Sequence, residues 1–326
     1  MPSPHPPRPA PSLRHWRTVL LSWLDNEAGT LPDDADSQHI DWLGSIPFIA
    51  LHLACLAVFW VGVSPVAVCL AVGLYLLRMF AITGFYHRYF AHKAFRTSRP
   101  VQFLFAVMGA AAVQRGPLWW AAHHRHHHAH ADDPDDVHSP HRRGFWWSHT
   151  GWFLCRANFR TRAELVREWL VFPELRFLDR YDGLVPLLLA LGLFGLGEWL
   201  AWQVPDWHTN GPQLLVWGFV ISTIALYHAT YAVNSLAHVW GWRRYATRDD
   251  SRNNAFLALL TLGEGWHNNH HHYPAAARQG FYWWEFDPTW YLLRLMASLG
   301  LVWDLKPLPG YIREARHIKS GSGASE

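Results

Sequence analysis

The sequence predicts an all-α integral membrane protein in which four transmembrane helices form two hairpins beneath a polar, helical cap. Half of the 326 residues are hydrophobic and only 16% are charged, whereas soluble domains carry charges at about a quarter of their positions. The 21 tryptophans point the same way, because the amphipathic indole ring favours the membrane–water interface. The formal net charge of +3 is too small for a typical nucleic-acid-binding protein, so we expect no nucleic acid partner.

Four apolar stretches approach the length of about 20 residues that a membrane-spanning helix needs. They cover residues 46–63, 65–85, 184–202 and 212–233. A short Val-Ser-Pro link joins the first two, and a loop containing Pro, Asn and Gly joins the last two, so each pair predicts a helical hairpin. Any one stretch could also be a buried core helix, but two tight apolar hairpins in one chain favour a membrane protein. Arg78 lies close enough to a span end to extend toward the interface.

The chain divides into a Pro-rich and then acidic leader (1–44), a membrane domain (45–310) and a flexible tail (311–326). Two polar, His-rich segments of the membrane domain, 87–180 and 238–310, follow the two hairpins and form the predicted cap. An even number of spans places both segments and both termini on one side. Arginine is dense in the cap and absent from the hairpin loops, so the positive-inside rule places the cap and the termini in the cytoplasm. The sequence therefore predicts a multi-pass protein of the cell (inner) membrane.

Histidine, the commonest transition-metal ligand, occurs 23 times and clusters in the cap segments. The clusters are an HxxxxH motif (His87, His92), two HxxHH motifs (His124, His127, His128 and His267, His270, His271) and Asn234-Ser-Leu-Ala-His238. The spacing i, i+3, i+4 places three imidazoles on one face of a helix. Five residues turn an α-helix by about 500°, so the two side chains of HxxxxH diverge by about 140°. That spacing suits a helix end or two neighbouring metals.

These nine histidines exceed what one metal ion binds, so the sequence predicts two metals, with Asn234 as a further ligand acting through water. Imidazole binds iron, zinc, copper and nickel, so ligand type alone does not select the metal. A metal-bound histidine usually donates its second ring N–H to an acceptor, and Asp132, Asp136, Glu264 and Asn268 are candidates. The neighbouring histidines that leave or duplicate the shared face are His123, His126, His130 and His272.

The residues around the histidines extend these motifs. They read TGFYHRYFAH at 83–92, HRHHH at 124–128, NSLAH at 234–238 and GEGWHNNHH at 263–271. Together with DVHSP at 136–140 and RRGFWWSHTGW at 142–152, they resemble the motifs of the membrane fatty acid desaturases. The closest likeness is to the acyl-CoA 9-desaturase (stearoyl-CoA desaturase-like) branch. The resemblance covers roughly residues 45–310.

The resemblance implies an oxidoreductase that inserts a cis double bond, at carbons 9 and 10, into a saturated fatty acyl chain. It implies two iron ions bound by the nine histidines with Asn234 close to one of them, and it implies dioxygen as the oxidant. With no segment left for a fused haem domain, two electrons are expected from a separate donor such as a ferredoxin, rubredoxin or cytochrome. Zinc is expected as a substitute in an isolated sample.

The substrate carrier and the tunnel are less closely defined by the motifs. Acyl-CoA enzymes of this branch carry an Arg-Asp pair before HRxHH, where this chain has Ala122 and His123. Acyl-CoA, acyl-lipid and acyl-carrier-protein substrates therefore stay open. Holding an acyl chain at a fixed depth calls for a narrow apolar tunnel. The candidate lining residues, each of which could equally be an interface anchor or a core residue, are Trp119, Trp120, Trp146, Trp147 and Trp152.

Two alternative functions use the same histidines. A di-iron hydroxylase of an acyl or alkyl substrate would share the first hydrogen abstraction, although the GEGxHNxHH and NSxAH motifs favour desaturation. A membrane metal-binding or transport protein would place polar residues inside the spans, along a path near the midplane. The histidine motifs instead lie outside the predicted spans and on one side of the membrane, which disfavours transport.

Overall fold

The computed structural model describes residues 20–28 and 38–318. Most of the predicted leader and the end of the predicted tail, from Lys319, lie outside the described residues. The described part is mostly helical, with one short antiparallel strand pair, Arg96–Thr97 and Val302–Trp303. The part of the predicted tail that is described contains most of the helix Gly310–Glu314, and His317 forms a bridge with Tyr245.

Three helices are long and apolar enough to cross a membrane: Pro65–Ala91, Leu184–Gln203 and Gly211–His238. The first predicted span forms a shorter apolar helix, Ile46–Val61, which includes a 3-10 turn at Cys55–Ala57. At 1.5 Å per residue this helix is about 24 Å long, less than the hydrocarbon thickness of about 30 Å. Membrane-spanning length is thus found for three of the predicted stretches, and the span predicted at 46–63 stays a prediction.

The returning helix of each hairpin begins at a capping residue followed closely by proline. The Ser64 hydroxyl accepts a hydrogen bond from the Ala67 amide, and the Asn210 side chain accepts one from the Gln213 amide. Each cap satisfies a backbone donor that the first helical turn leaves free. The Thr209 hydroxyl donates to the Ser64 hydroxyl at 2.8 Å, so the two hairpin loops are joined directly.

The helix of the second predicted span does not end at Phe85. It is α-helical over Pro65–Phe80 and continues as a π-helix over Ala81–Ala91, into the cap. The Arg78 side chain on this helix is buried, and its guanidinium donates to the hydroxyls of Thr223 (2.7 Å) and Ser222 (2.6 Å). The expectation that Arg78 reaches toward the interface is therefore wrong, because polar partners on a neighbouring helix satisfy it inside the protein.

The cap surrounds the extended end of the helix Pro65–Ala91. Phe85 stacks on Phe105 with ring centroids 3.8 Å apart, and Gly109 leaves room for the Tyr86 ring where a Cβ atom would collide. The cap helices are Arg99–Ala110, Pro117–His130, Pro140–Arg143, Phe145–His149, Pro173–Arg180, Ala255–Leu260, His267–His272, Pro288–Ser298 and Gly310–Glu314. The other 3-10 turns are Gly151–Leu154, Arg156–Asn158, Ala163–Leu165, Pro205–Trp207 and Leu236–His238.

Candidate metal centre

Five histidines of the cap each bring one ring nitrogen to within 4.8 Å of the others. They are His87, His92, His124, His128 and His270, here called the five-His group. The Nε2 atoms approach one another in a chain: His124 to His92 at 2.9 Å, His92 to His87 at 3.2 Å, His87 to His270 at 3.0 Å and His270 to His128 at 2.8 Å.

Four further histidines, His127, His238, His267 and His271, form a second cluster with the same spacing limit of 4.8 Å. In this four-His group, Nε2 of His238 lies 3.1 Å from Nε2 of His267. The buried Nε2 of His271 has no hydrogen-bond partner within the described part of the chain. The structure thus brings together all the histidines that the motifs single out, in two clusters rather than one.

Each HxxHH motif serves both groups. In the helix Pro117–His130 the first and last histidines of the motif belong to the five-His group, and His127 belongs to the four-His group. In the helix His267–His272 the roles are reversed, since His270 joins the five-His group. Residues i and i+4 are separated by about 40° around an α-helix, whereas i+3 and i+4 are separated by about 100°. The two short helices therefore face each other across both groups.

The HxxxxH motif reaches a single group because of the π-helix. The His92 amide donates to the His87 carbonyl at 3.2 Å, the i to i+5 bond that defines this helix type. The wider turn brings the two side chains to one face, whereas α-helical geometry predicts that they diverge. Of the two arrangements that the spacing suggested, the structure shows neighbouring side chains at a helix end, with His92 just beyond Ala91.

Carboxylates contact the second nitrogen, Nδ1, of four of these histidines. Asp136 contacts His127 at 3.1 Å, Asp132 contacts His238 at 2.9 Å and Asp249 contacts His271 at 2.9 Å. Glu264 contacts His87 and also accepts from Arg88. Such contacts favour a hydrogen on Nδ1 and so leave the Nε2 lone pair free for a metal ion.

Three of these carboxylates come from the acceptors that the sequence suggested, but Asn268 does not fit. Its side chain accepts from the backbone amides of Arg244 and Tyr245, and within the described residues it forms no hydrogen bond with a histidine of either group. Asp249 and Gln279 were missed. The Gln279 amide nitrogen lies 3.2 Å from Nδ1 of His87 and 3.4 Å from Nδ1 of His270. No local motif marks either residue, since both come from loops distant in sequence.

The histidine spacing fits bound metal ions better than hydrogen bonding among the rings. A neutral imidazole nitrogen carries one hydrogen or one lone pair and so makes one good hydrogen bond. Nε2 of His87, His92 and His270 each lies within 2.8–3.2 Å of two other Nε2 atoms, which neutral rings cannot satisfy alone. Two nitrogens about 2.1 Å from one ion, at right angles, are about 3.0 Å apart. An all-imidazole donor set fits iron and zinc alike.

The electrostatic environment favours the neutral form of five of these histidines. Burial, followed by the neighbouring histidines, holds the pKa of His92, His124, His128, His267 and His270 well below the ordinary value. Burial alone would raise the pKa of Asp132, Asp136 and Asp249, but the histidine that each contacts lowers it below the usual range. Neutral imidazoles and ionised carboxylates are the forms that metal binding requires.

A cavity of about 380 Å³ adjoins the five-His group, because His124 lies in its wall. Trp119, Trp120 and Trp152 line it, as expected. Trp146 and Trp147 do not, and Trp146 is 74% exposed. Other lining residues are Phe48 and Leu51 on the helix Ile46–Val61, Tyr227, Tyr231 and Asn234 on the helix Gly211–His238, and Asn26, Arg115 and Asp182. The lining is largely apolar, with a few polar groups.

These features define a helical membrane protein with a buried, histidine-rich candidate metal centre beside an apolar cavity. The chain belongs to the fatty acid desaturase family, whose family model matches residues 62–305. The resemblance inferred from the histidine motifs is thereby confirmed, and the protein is an oxidoreductase of lipid metabolism.

Three relatives illustrate the range of the family. The sn-2 palmitoyl-lipid 9-desaturase of Nostoc sp. (strain 36) is 35% identical over 289 residues, which cover 85% of this chain and 94% of that protein. The acyl-CoA C20 Delta5-desaturase of Anemone leveillei is 34% identical over 306 residues, 89% of this chain and 86% of that protein. The chloroplastic palmitoyl-monogalactosyldiacylglycerol delta-7 desaturase of Arabidopsis thaliana is 38% identical over 254 residues, 77% of this chain and 64% of that protein.

Proposed function

We propose that the chain inserts a cis double bond between carbons 9 and 10 of a saturated fatty acyl chain, at a two-iron centre. The observation that supports this most directly is the position of His124, which belongs to the five-His group and also lines the cavity. An alkyl chain in the cavity would lie against the five-His group. The 9-desaturase in the name of the Nostoc relative agrees with the double-bond position.

The reaction removes one hydrogen from each of two neighbouring carbons. Dioxygen accepts these two hydrogens together with two electrons and two protons, and it is thereby reduced to two water molecules. Alkyl C–H bonds are not acidic, so side-chain acid–base chemistry cannot begin the reaction, and bound iron would supply the oxidising chemistry. The protein's part is to hold the acyl chain at one depth beside the centre and to keep water away.

We assign the metal ligands residue by residue. His87, His92, His124, His128 and His270 would hold one iron, and His127, His238, His267 and His271 would hold the other. Asn234 lines the cavity and is proposed as a further ligand through water. Asp132, Asp136, Asp249 and Glu264 would fix the hydrogens on Nδ1, so that each Nε2 lone pair faces the ion.

The substrate is proposed to be an acyl chain esterified to a membrane lipid or to CoA, as both occur in the names of the relatives. Electrons would come from a separate donor such as a ferredoxin, rubredoxin or cytochrome. We propose four spans in the cell (inner) membrane, with the cap and both termini in the cytoplasm, on the arginine distribution described above.

The test is the fatty acid profile of a host that makes this chain together with a ferredoxin and its reductase. Gas chromatography–mass spectrometry, with double bonds located chemically, should reveal a new 9-monoene. His270→Ala should abolish it. His130→Ala is the matched control, because His130 contacts the His126 ring on the same helix as HxxHH and lies in neither group. A hydroxylated acid, or a product that survives in His270→Ala, would contradict the proposal.

A further inference from the structure

The C-terminal part of the cap exposes many large apolar side chains. On the helix Ala255–Leu260, Phe256 is 57% and Leu259 is 61% exposed. On the helix Pro288–Ser298 and just after it, the exposed residues are Tyr291, Leu292, Leu295 and Leu299. Trp283, Trp284 and Phe286 lie between these two helices and are exposed as well. Nothing in the part of the chain that the structure describes covers them.

Both helices are apolar on two sides. Leu257 and Ala258 are buried against the protein while Phe256 and Leu259 face outward. In the second helix Leu293 and Met296 are buried while Leu292 and Leu295 face outward. Such an outward face, which in the second helix is interrupted by the exposed Arg294, needs an apolar medium to cover its apolar side chains. Residues 291, 292, 295 and 299 follow the i, i+1, i+4, i+8 spacing of one continuous stripe.

Two hydrogen bonds show where these helices lie along the helix Pro65–Ala91. The Tyr75 hydroxyl donates to the carbonyl of Leu260 at 2.7 Å. Tyr75 is about 15 Å along the helix from Pro65, near the middle of a hydrocarbon layer about 30 Å thick. The hydroxyls of Thr83 and Thr289 are 2.7 Å apart, and Thr83 is about 27 Å from Pro65 by the same rise. That position is the cap-side boundary of the hydrocarbon.

We infer that the helix Ala255–Leu260 is inserted into the bilayer leaflet nearest the cap and that the helix Pro288–Ser298 lies in its surface. The occupant of the exposed faces is the lipid itself. Acyl chains would contact Phe256 and Leu259, and the indoles of Trp283 and Trp284 would lie at the headgroup level, where tryptophan is enriched. A second copy of the chain fits less well, because the hydrogen bonds place both helices beside a membrane-spanning helix.

Membrane insertion here would help to position the third histidine motif. Glu264, which contacts His87, follows Leu260 by four residues, and His267 begins the next helix. Between them Gly263 has φ +120°, and a Cβ atom there would meet the Asp287 carboxylate, so the connection is short and tightly packed. The lipid contact and the candidate metal centre are therefore joined by one short, tightly packed segment of chain.

Electron paramagnetic resonance accessibility tests the inference without using activity. A nitroxide is placed at residue 259 or 295 of the full chain, reconstituted in phosphatidylcholine vesicles. The background is Cys55→Ala with Cys69→Ala, and buried Cys155 is kept. Leu191, 60% exposed on the helix Leu184–Gln203, is the lipid reference, and exposed Glu164 is the water reference. The background chain without an introduced cysteine, treated with the same nitroxide reagent, measures any reaction at Cys155.

Labels at 259 and 295 should collide with oxygen more often than a label at 164, and the label at 259, which lies deeper, should approach the rate at 191. Collisions with a nickel chelate should fall on the order of tenfold below those at 164, because a polar chelate is excluded from hydrocarbon. Collision rates like those at 164 would place these helices in water and overturn the inference. Exclusion of both oxygen and the chelate would show a protein–protein contact instead, and would overturn it equally.

Discussion

His127 and His128 are adjacent in the chain, yet they belong to different histidine groups. The 100° between neighbouring residues of an α-helix separates them, and the reversed pattern at His270 and His271 closes both groups from the other side. The spacing between the two candidate metal positions is therefore fixed by two short helices that each contribute to both. A displacement of either helix would disturb both positions together.

Loss of the carboxylate beside His271 should weaken metal binding. Asp249 contacts Nδ1 of His271 at 2.9 Å, and removing such a partner typically costs about 10–100-fold in metal affinity. We expect Asp249→Ala to lose zinc or iron at correspondingly lower chelator concentration, measured as metal per chain after dialysis. Asp133→Ala, which removes an exposed carboxylate of the same cap, should retain the parent's affinity. Equal retention in both variants would contradict the assigned role of Asp249.

Bulk added to the cavity wall should shorten the acyl chains that are processed. Leu51 lines the cavity, and the indole of Leu51→Trp would occupy part of its volume. We expect a severalfold decrease in the ratio of longer to shorter unsaturated products, read from the fatty acid profile. Leu53→Trp is the matched control, since Leu53 is 62% exposed on the same helix. A profile shifted equally by both substitutions would show that this cavity does not limit the length of the acyl chain.

The asparagine at the start of the NSxAH motif gives a third comparison. Asn234 lines the cavity. His272 belongs to neither histidine group; its Nε2 lies 2.8 Å from the Ile312 carbonyl, and its ring stacks on Tyr245. Asn234→Ala should therefore lower product yield more than His272→Ala at equal protein and metal content. The reverse order would mean that the second HxxHH motif, at 267–271, has been read in the wrong register.

One half-buried carboxyl predicts a pH dependence of stability. Burial raises the pKa of Asp179 to about 6, while its oxygens accept from the Trp119 amide and the Thr161 hydroxyl. In the unfolded chain the carboxyl titrates near 3.9, so its contribution to stability is complete below about pH 4 and is lost as pH rises through about 6.

Asp179→Asn removes this titration. We expect the free energy of unfolding of the variant to gain on the parent by up to about 1.4 kcal/mol per pH unit between pH 4 and 6. Thermal unfolding in detergent across this range measures the difference, with Asp135→Asn as an exposed control. Parallel curves for parent and Asp179→Asn would show that the pKa of this carboxyl is not raised in the folded protein.

Local patterns in the sequence predict the histidines and the membrane helices well. The apolar length of residues 65–85, 184–202 and 212–233 is a property of the segment alone, and long apolar helices occur at all three. The HxxHH spacing likewise predicts helices, and both motifs do form helices, but the i+3 histidine of each motif belongs to a different group from the other two. The spacing does not reveal which helix packs opposite each motif. The division into five and four histidines depends on that packing.

The features that escaped prediction depend on distant packing. The π-helix that unites His87 and His92 is a choice of backbone hydrogen bonds, which residue spacing does not reveal. Asp249 contacts His271 from a loop that is distant in sequence. Asn268 lies inside the second HxxHH motif, but its side chain accepts from the backbone amide of Tyr245. Arg78 is satisfied by Ser222 and Thr223 on another helix. Each of these contacts joins residues far apart in the chain or alters the helix type.

The most direct test of the central claim is the metal content of the purified, full-length chain, compared with that of His270→Ala. If the five-His and four-His groups each hold one ion, the parent should bind about two metal ions per chain, iron in an active sample or zinc as a substitute. His270→Ala should bind about one while keeping the helical content of the parent. A reproducible value of one in the parent, or none with desaturation retained, would contradict the two-metal account.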